Sequence, residues 1–199
     1  MKTEIYLLRH GETKLNREKV YFGHLDAPMT KEGKQSILSL SNTFNQNIDV
    51  FISSDLNRCY ESSCIFNKNK NILKDKRLRE LNFGIFEGFV YTDLCEEFPE
   101  ESKKFFSCEH DYVIPAGESI KMLFDRCIEI FNEVIEKYEG KSILLSTHGG
   151  VIRAILSYFL TGGDSAYWKF AIPHASITKL VHEKGFTYME YMSKSSNKK

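Results

Sequence analysis

The sequence predicts an α/β layered fold, and three observations carry that expectation. Strand-like apolar runs alternate with segments of helical periodicity, a pattern of stacked layers rather than of repeats or a low-complexity scaffold. Three of the strand-like runs end in related residues: Arg9-His10-Gly11, Ser53-Ser54-Asp55 and Thr147-His148-Gly149-Gly150. A chain of 199 residues with 42% hydrophobic content suits one compact domain over residues 1–199. A domain of that size buries about 70% of its unfolded surface.

The elements follow in order. Ile5 to Leu8 is an unbroken apolar run and reads as a buried strand. Thr30 is the N-cap expected of a helix whose apolar stripe is Ile37, Leu40 and Phe44. Val50 to Ser53 is a second short strand, and Asp55 is expected to cap the helix after it. The strongest helical pattern follows Gly117, where Ile120, Leu123, Phe124, Cys127, Ile130, Phe131, Val134 and Ile135 recur by threes and ones until Gly140. Glu118 and Ser119 are expected at its start, the carboxylate complementing the helix dipole. Ser142 to Thr147 is a third buried strand, and Val151, Ile152, Ile155, Leu156 and Phe159 open a helix directly after it. Residues 176–182 and 186–192, split by Lys184-Gly185, read as a closing hairpin. The polar residues 193–199 are expected to be a disordered tail.

With 27 basic and 27 acidic residues, no global field draws the chain onto nucleic acid or an anionic membrane. Its apolar runs fall short of the roughly 20 residues of a membrane span, and no secretory hydrophobic region follows Met1. A cytoplasmic protein is expected, without nucleic-acid or membrane partners; the sequence carries no signal for an oligomeric state. The five cysteines, Cys59, Cys64, Cys95, Cys108 and Cys127, are odd in number and form no C-x-x-C pair. They are expected to be reduced, partly buried fillers.

Ligands of open α/β sheets bind at the carboxyl ends of strands. If the three tips belong to neighbouring parallel strands, Arg9, His10, Arg58 and His148 converge on one pocket. Glycine after each histidine allows backbone N–H groups close to a ligand, and a helix start adds partial positive charge. Such a pocket suits a phosphate dianion. A neutral imidazole there can attack phosphorus, with the arginines supplying the charge that magnesium supplies elsewhere. No metal and no cofactor are expected. A proton donor for the leaving oxygen is still needed, and Glu80, in the loop-like LRELNFGIFEG, is the candidate. On the residues alone, a solvated carboxylate beside Arg79 is the competing reading of Glu80.

LLRHGET with Asn16, GHLDAPMTKEG (23–33), SSDLNRCYESS (53–63), LRELNFGIFEG (78–88), PAGES (115–119) and STHGGVIRAIL (146–156) stand in the order of the blocks of a known family. Nearly the whole chain thereby resembles the histidine phosphatase superfamily, also called phosphoglycerate mutase-like. The resemblance implies a three-layer α/β/α sandwich around a mixed, mostly parallel sheet. It implies His10 as the phosphorylated nucleophile and Glu80 as acid and base. Arg9, Arg58 and His148 complete the phosphate pocket, assisted by Asn16 and the Gly149 backbone. Gly23 and His24 fall where members contact the non-reacting part of a small phosphate ester, and residues 85–115 or so form a cap that sets specificity. The cofactor-dependent mutases follow their catalytic glutamate with Arg-His-Tyr and carry an Arg-Arg pair. Here Leu81, Asn82 and Phe83 follow, and no Arg-Arg occurs, which favours a phosphomonoester hydrolase. Length and the LRELNFG-to-EG block look most like α-ribazole-5′-phosphate phosphatases, so α-ribazole 5′-phosphate is the expected substrate. A phosphoglycerate mutase, a phosphoserine or broad-specificity phosphatase and, more remotely, a phosphohistidine-protein phosphatase are the alternatives.

Overall fold

Along the first strand, β1 (Lys2–Arg9), side chains alternate between two cores. Ile5 and Leu7 join one apolar cluster while Tyr6 and Leu8 join another, as period-two geometry requires of a strand covered on both faces. The structure is a computed structural model that describes residues 1–67, 71–107 and 109–195. After β1 come α1 (Lys14–Arg17), α2 (Lys31–Thr43), β2 (Val50–Ser53), α3 (Asn57–Phe66) and β3 (Ile72–Lys74). Then follow α4 (Tyr91–Glu97), α5 (Pro99–Phe106), α6 (Ile120–Lys137), β4 (Ser142–Thr147), α7 (Gly149–Thr161), β5 (Ser176–Glu183) and β6 (Phe186–Lys194).

The strands form a six-stranded sheet in the order β3-β2-β4-β1-β5-β6. The first four run parallel, whereas β5 is antiparallel to both β1 and β6. Ile37 and Leu40 of α2 pack on one face with Tyr6, Leu8 and Leu144. The apolar stripes of α6 and α7 cover the other with Ile5, Leu7, Ile143 and Leu145. This is the expected α/β/α sandwich on a mixed, mostly parallel sheet. The register aligns Arg9 with Thr147 and Ser53 with Ser146, so the three tips leave the sheet at one edge.

Thr30 caps α2 as expected, its hydroxyl accepting from Gly33 N at 2.9 Å. Asp55 does not cap α3. Its two carboxylate oxygens accept the Arg79 fork at 2.6 Å each, a stronger charge-assisted pair than a backbone cap. The first N–H of that helix, on Asn57, donates instead to Asp26 of a distant loop at 2.8 Å. Ser119 is the N-cap of α6, and Glu118 stands one residue outside it, paired with Arg126 rather than with the helix dipole. Lys184 and Gly185 both take positive φ, 53° and 77°, the two-residue turn that matches hairpin twist. The polar tail begins later than expected, because β6 pairs through Lys194, opposite Ile177. Residues 196–199 and Cys108 lie outside the described residues. Of the other cysteines Cys59 and Cys127 are buried, and Cys64 is exposed rather than a filler. No helix among the described residues is long and apolar enough to cross a membrane.

Candidate active site

His10 follows the last residue of β1 and is 3% exposed. Its Nδ1 lies 2.8 Å from the Gly11 carbonyl, which can only accept, so Nδ1 carries the proton and Nε2 keeps its lone pair. Burial, then the charges of Arg58 and Arg9, push His10 well below the ordinary histidine range. The ring is therefore a neutral imidazole with a free Nε2, the form that attacks phosphorus.

Arg58 is buried on α3, where a charge without hydrogen-bond partners would be costly. The loop before it supplies acceptors: Nη2 donates to Gly23 O at 2.6 Å and Nη1 to Leu25 O at 3.0 Å, with Asp26 3.6 Å away. Its Nε donates to His148 Nδ1 at 3.3 Å. That bond assigns the His148 proton to Nε2, which donates to Ser54 Oγ at 3.0 Å and passes 3.2 Å from Cys59 Sγ. Burial and the Arg58 charge hold His148 well below the ordinary range. His148 is thus a neutral imidazole in this arrangement. An arriving dianion that took the Arg58 Nε–H would release Nδ1 to bind a proton.

Arg9 reaches over Gly149, whose Cα would carry a Cβ 3.3 Å from the guanidinium carbon. Its Nη1 donates to Ile172 O and its Nη2 to His174 Nε2 at 2.8 Å. Its Nε is buried without a partner among the described residues, an unsatisfied donor close to Gly149.

Glu80 lies beside this cluster. One carboxylate oxygen accepts from Leu81 N and the other from Gly150 N, both at 3.0 Å, the second donor lying in the first turn of α7. Each oxygen keeps a further lone pair for a substrate. The loop that carries Glu80 is braced by Arg126 of α6, which donates to the carbonyls of Arg77, Arg79 and Glu80 at 2.7, 2.6 and 2.9 Å while Glu118 balances its charge. Glu87, the other acid of that block, spends its carboxylate on the backbone N–H groups of Gly23, His24, Leu25 and Phe83. It shapes the loop that grips Arg58.

Beside Glu80 opens a cavity of about 400 Å³, lined in part by Gly150, Arg153 and Tyr167. Tyr21, Leu81, Phe83, Phe105, Phe106 and Trp168 wall it. His24 is not among its lining residues, and its ring Nε2 is buried without a partner among the described residues. Gly23 has a local reason to be glycine, since a Cβ would overlap the Leu81 carbonyl. Asn16 is engaged in the capping box of α1, its Oδ1 accepting from Thr13 N and Oγ1 at 3.0 and 2.9 Å. His10, Arg9, Arg58, His148, Gly149 and Glu80 are thus brought together and Gly23 supports them, while Asn16 has its Oδ1 in the α1 cap and His24 lies outside the cavity lining. Sequence reading missed Arg126 and Tyr167, and it gave Ser54, within its strand tip, no role. Arg153 sat within a quoted block, one helical turn past Gly150, but drew no role.

Residues 5–194 match the family model of the histidine phosphatase superfamily (branch 1). The chain is 37% identical over 158 residues to phosphoglycerate mutase-like protein 4 of Arabidopsis thaliana, covering 76% of this chain and 69% of that one. It is 30% identical over 160 residues to the metal-independent phosphoserine phosphatase of the same plant, covering 77% and 67%. The fold matches the crystal structure of a putative α-ribazole-5′-P phosphatase from Escherichia coli with a TM-score of 0.90, at 21% identity and 96% coverage of both chains. Since the family match runs from within β1 to the end of β6, carrying every strand of the sheet and both histidine tips, the chain belongs to the histidine phosphatase superfamily.

Proposed function

We propose that the protein is a phosphomonoester hydrolase that works through a phosphohistidine on His10. The observation that carries this reading is the His10 Nδ1–Gly11 O bond, which presents a neutral Nε2 amid Arg9 and Arg58. In the first step Nε2 attacks phosphorus, the bond from phosphorus to the ester oxygen breaks, and protonated Glu80 gives that oxygen its proton. In the second, the Glu80 carboxylate takes a proton from water as the water oxygen attacks phosphorus, and His10 leaves with its lone pair restored. Arg9 and Arg58 stabilise the equatorial oxygens in both steps. No metal takes part in this scheme, so exhaustive chelator treatment should leave turnover unchanged; loss restored by magnesium would overturn it.

Hydrolysis is favoured over phosphate transfer because the cavity beside Glu80 is lined largely by aromatic residues, with Arg153 the basic residue among them, and offers few cations for a doubly phosphorylated intermediate. A flat aromatic group carried on the leaving alcohol fits those walls, which supports α-ribazole 5′-phosphate, an aromatic base on a ribose, as the substrate. A second reading, phosphoserine, is favoured by Arg153. Its Nε donates to Phe170 O, and no carboxylate pairs with its guanidinium among the described residues. Residues 85–115 act as the specificity cap in this reading, α5 contributing Phe105 and Phe106 to the cavity wall. Ranking kcat/KM over α-ribazole phosphate, phosphoserine and 3-phosphoglycerate separates these substrates.

The mechanism is tested by His10→Ala and Glu80→Gln. The first should abolish turnover of every ester. The second should slow the phosphoenzyme burst about 10²–10⁴-fold for alkyl phosphates, and far less for p-nitrophenyl phosphate, whose leaving group departs without a proton. Equal slowing of both bursts would remove Glu80 from the acid role.

A further inference from the structure

We infer that His174 is a positioning residue that aims the Arg9 guanidinium at the phosphate without cancelling its charge, an assignment that rests on the phosphohydrolase reading above. Arg9 can only donate, so the His174 Nε2 that lies 2.8 Å from its Nη2 is an acceptor and the ring is neutral, its proton on Nδ1. Burial and the adjacent Arg9 charge agree, lowering His174 to about 3. Ile172 O holds the other terminal nitrogen. The two acceptors come from one turn before β5, and Ala175 N of that turn donates to His10 O at 3.1 Å. Arg9 and the backbone of the nucleophile are therefore anchored to the same turn, 165 positions along the chain from Arg9 in the case of His174. The buried Nε–H, close to Gly149, makes no hydrogen bond among the described residues and is left for the ligand, with a second N–H on each terminal nitrogen.

The choice of acceptor matters. Arg79, Arg77 and Arg126 are each held by a carboxylate, Asp55, Asp75 and Glu118. Arg9 forms no ion pair among the described residues, although it is more enclosed than Arg79 or Arg77. A carboxylate at position 174 would orient Arg9 as well as an imidazole but would also neutralise it, and the pair would then attract a dianion weakly. A neutral imidazole fixes direction and leaves the full charge for the ligand.

Three variants of similar length separate these effects. His174→Gln keeps an acceptor near the Nε2 position, His174→Leu removes it, and His174→Glu keeps it while adding a negative charge. Binding of inorganic phosphate is measured by titration calorimetry, with kcat and KM for p-nitrophenyl phosphate and the melting temperature of each variant. Phosphate affinity and kcat/KM of His174→Gln should stay within about 3-fold of wild type. His174→Leu and His174→Glu should each lose about 10- to 100-fold in both, the worth of a hydrogen bond to a charged group. Equal phosphate affinity of the Gln and Glu variants, or of the Gln and Leu variants, would overturn the assignment. If Leu folds poorly, the Gln and Glu pair decides alone. The phosphatase reading is scored separately, on turnover and phosphoenzyme of the wild type: turnover without discrimination among the variants sinks only the role of His174, whereas a wild type that neither bound phosphate nor hydrolysed esters would sink both.

Discussion

At the scale of single residues, Gly150 shows how closely the acid is fitted. A Cβ there would overlap Glu80 Oε1 and stand 2.9 Å from the Tyr167 hydroxyl, with little room for a buried tyrosine to retreat. Gly150→Ala should therefore displace the Glu80 carboxylate rather than unfold the protein, since alanine suits a helix interior better than glycine does. The expected outcome is a kcat for alkyl phosphates lower by on the order of 10²-fold, the loss of a misplaced general acid, with an unchanged melting temperature. A variant with wild-type kcat would mean that Glu80 has other productive positions. The same scale separates the two acids of the LRELNFGIFEG block. Four backbone donors occupy Glu87, whereas Glu80 meets two and keeps lone pairs for chemistry.

Between elements, the irregular segment that carries Glu80 owes its shape to α6. Arg126 gathers three carbonyls of that segment, and Glu118 sits opposite, both largely enclosed. Arg126→Met would strand those carbonyls and leave a carboxylate with little solvent. Stability should fall by about 3 kcal/mol, and Glu118→Gln in the same chain should recover part of it. Urea midpoints of the single and double variants measure both numbers; an additive double variant would show that the pair does not act as a unit. Arg126 illustrates what a linear reading misses. Strands β1, β2 and β4 and helices α2, α6 and α7 were legible because each buries a continuous or periodic apolar face. The edge strand β3 has three residues, the first half-buried and the other two exposed, so it leaves no alternation to read. The helices α4 and α5 are about two turns long and neither has a side-chain cap. At the site, His10, Arg58, Glu80 and His148 were legible because they stand in compact motif blocks. Tyr167 was not, because only the return of the chain after α7 brings it beside Glu80.

Over the whole molecule, the buried histidines link stability to pH. His10 and His148 titrate well below 6.5 in the folded state, because burial and nearby arginines oppose a further charge. Unfolded histidine titrates near 6.5, so below that pH the unfolded chain takes up protons that the folded one refuses. Their contribution is complete above about pH 6.5 and is lost as pH falls toward the folded values, by up to about 1.4 kcal/mol per pH unit for each. Urea midpoints should drop between pH 7.5 and 5.5, and His148→Gln should flatten that drop; a flat wild-type profile would contradict the burial described. The central place of β1 has a different consequence, one in time. Glu4 sits beside Ser142, 138 positions along the chain, and β5 comes later still. At translation speeds of roughly 5–20 residues per second, β1 leaves the ribosome on the order of ten seconds before either neighbour exists. During that interval an apolar strand with two open edges has no native partner, which makes the nascent chain a natural client for holding chaperones. No truncated product that ends before β4 can bring His10 and His148 together, so a stalled ribosome releases a polypeptide without the site rather than a partly assembled one.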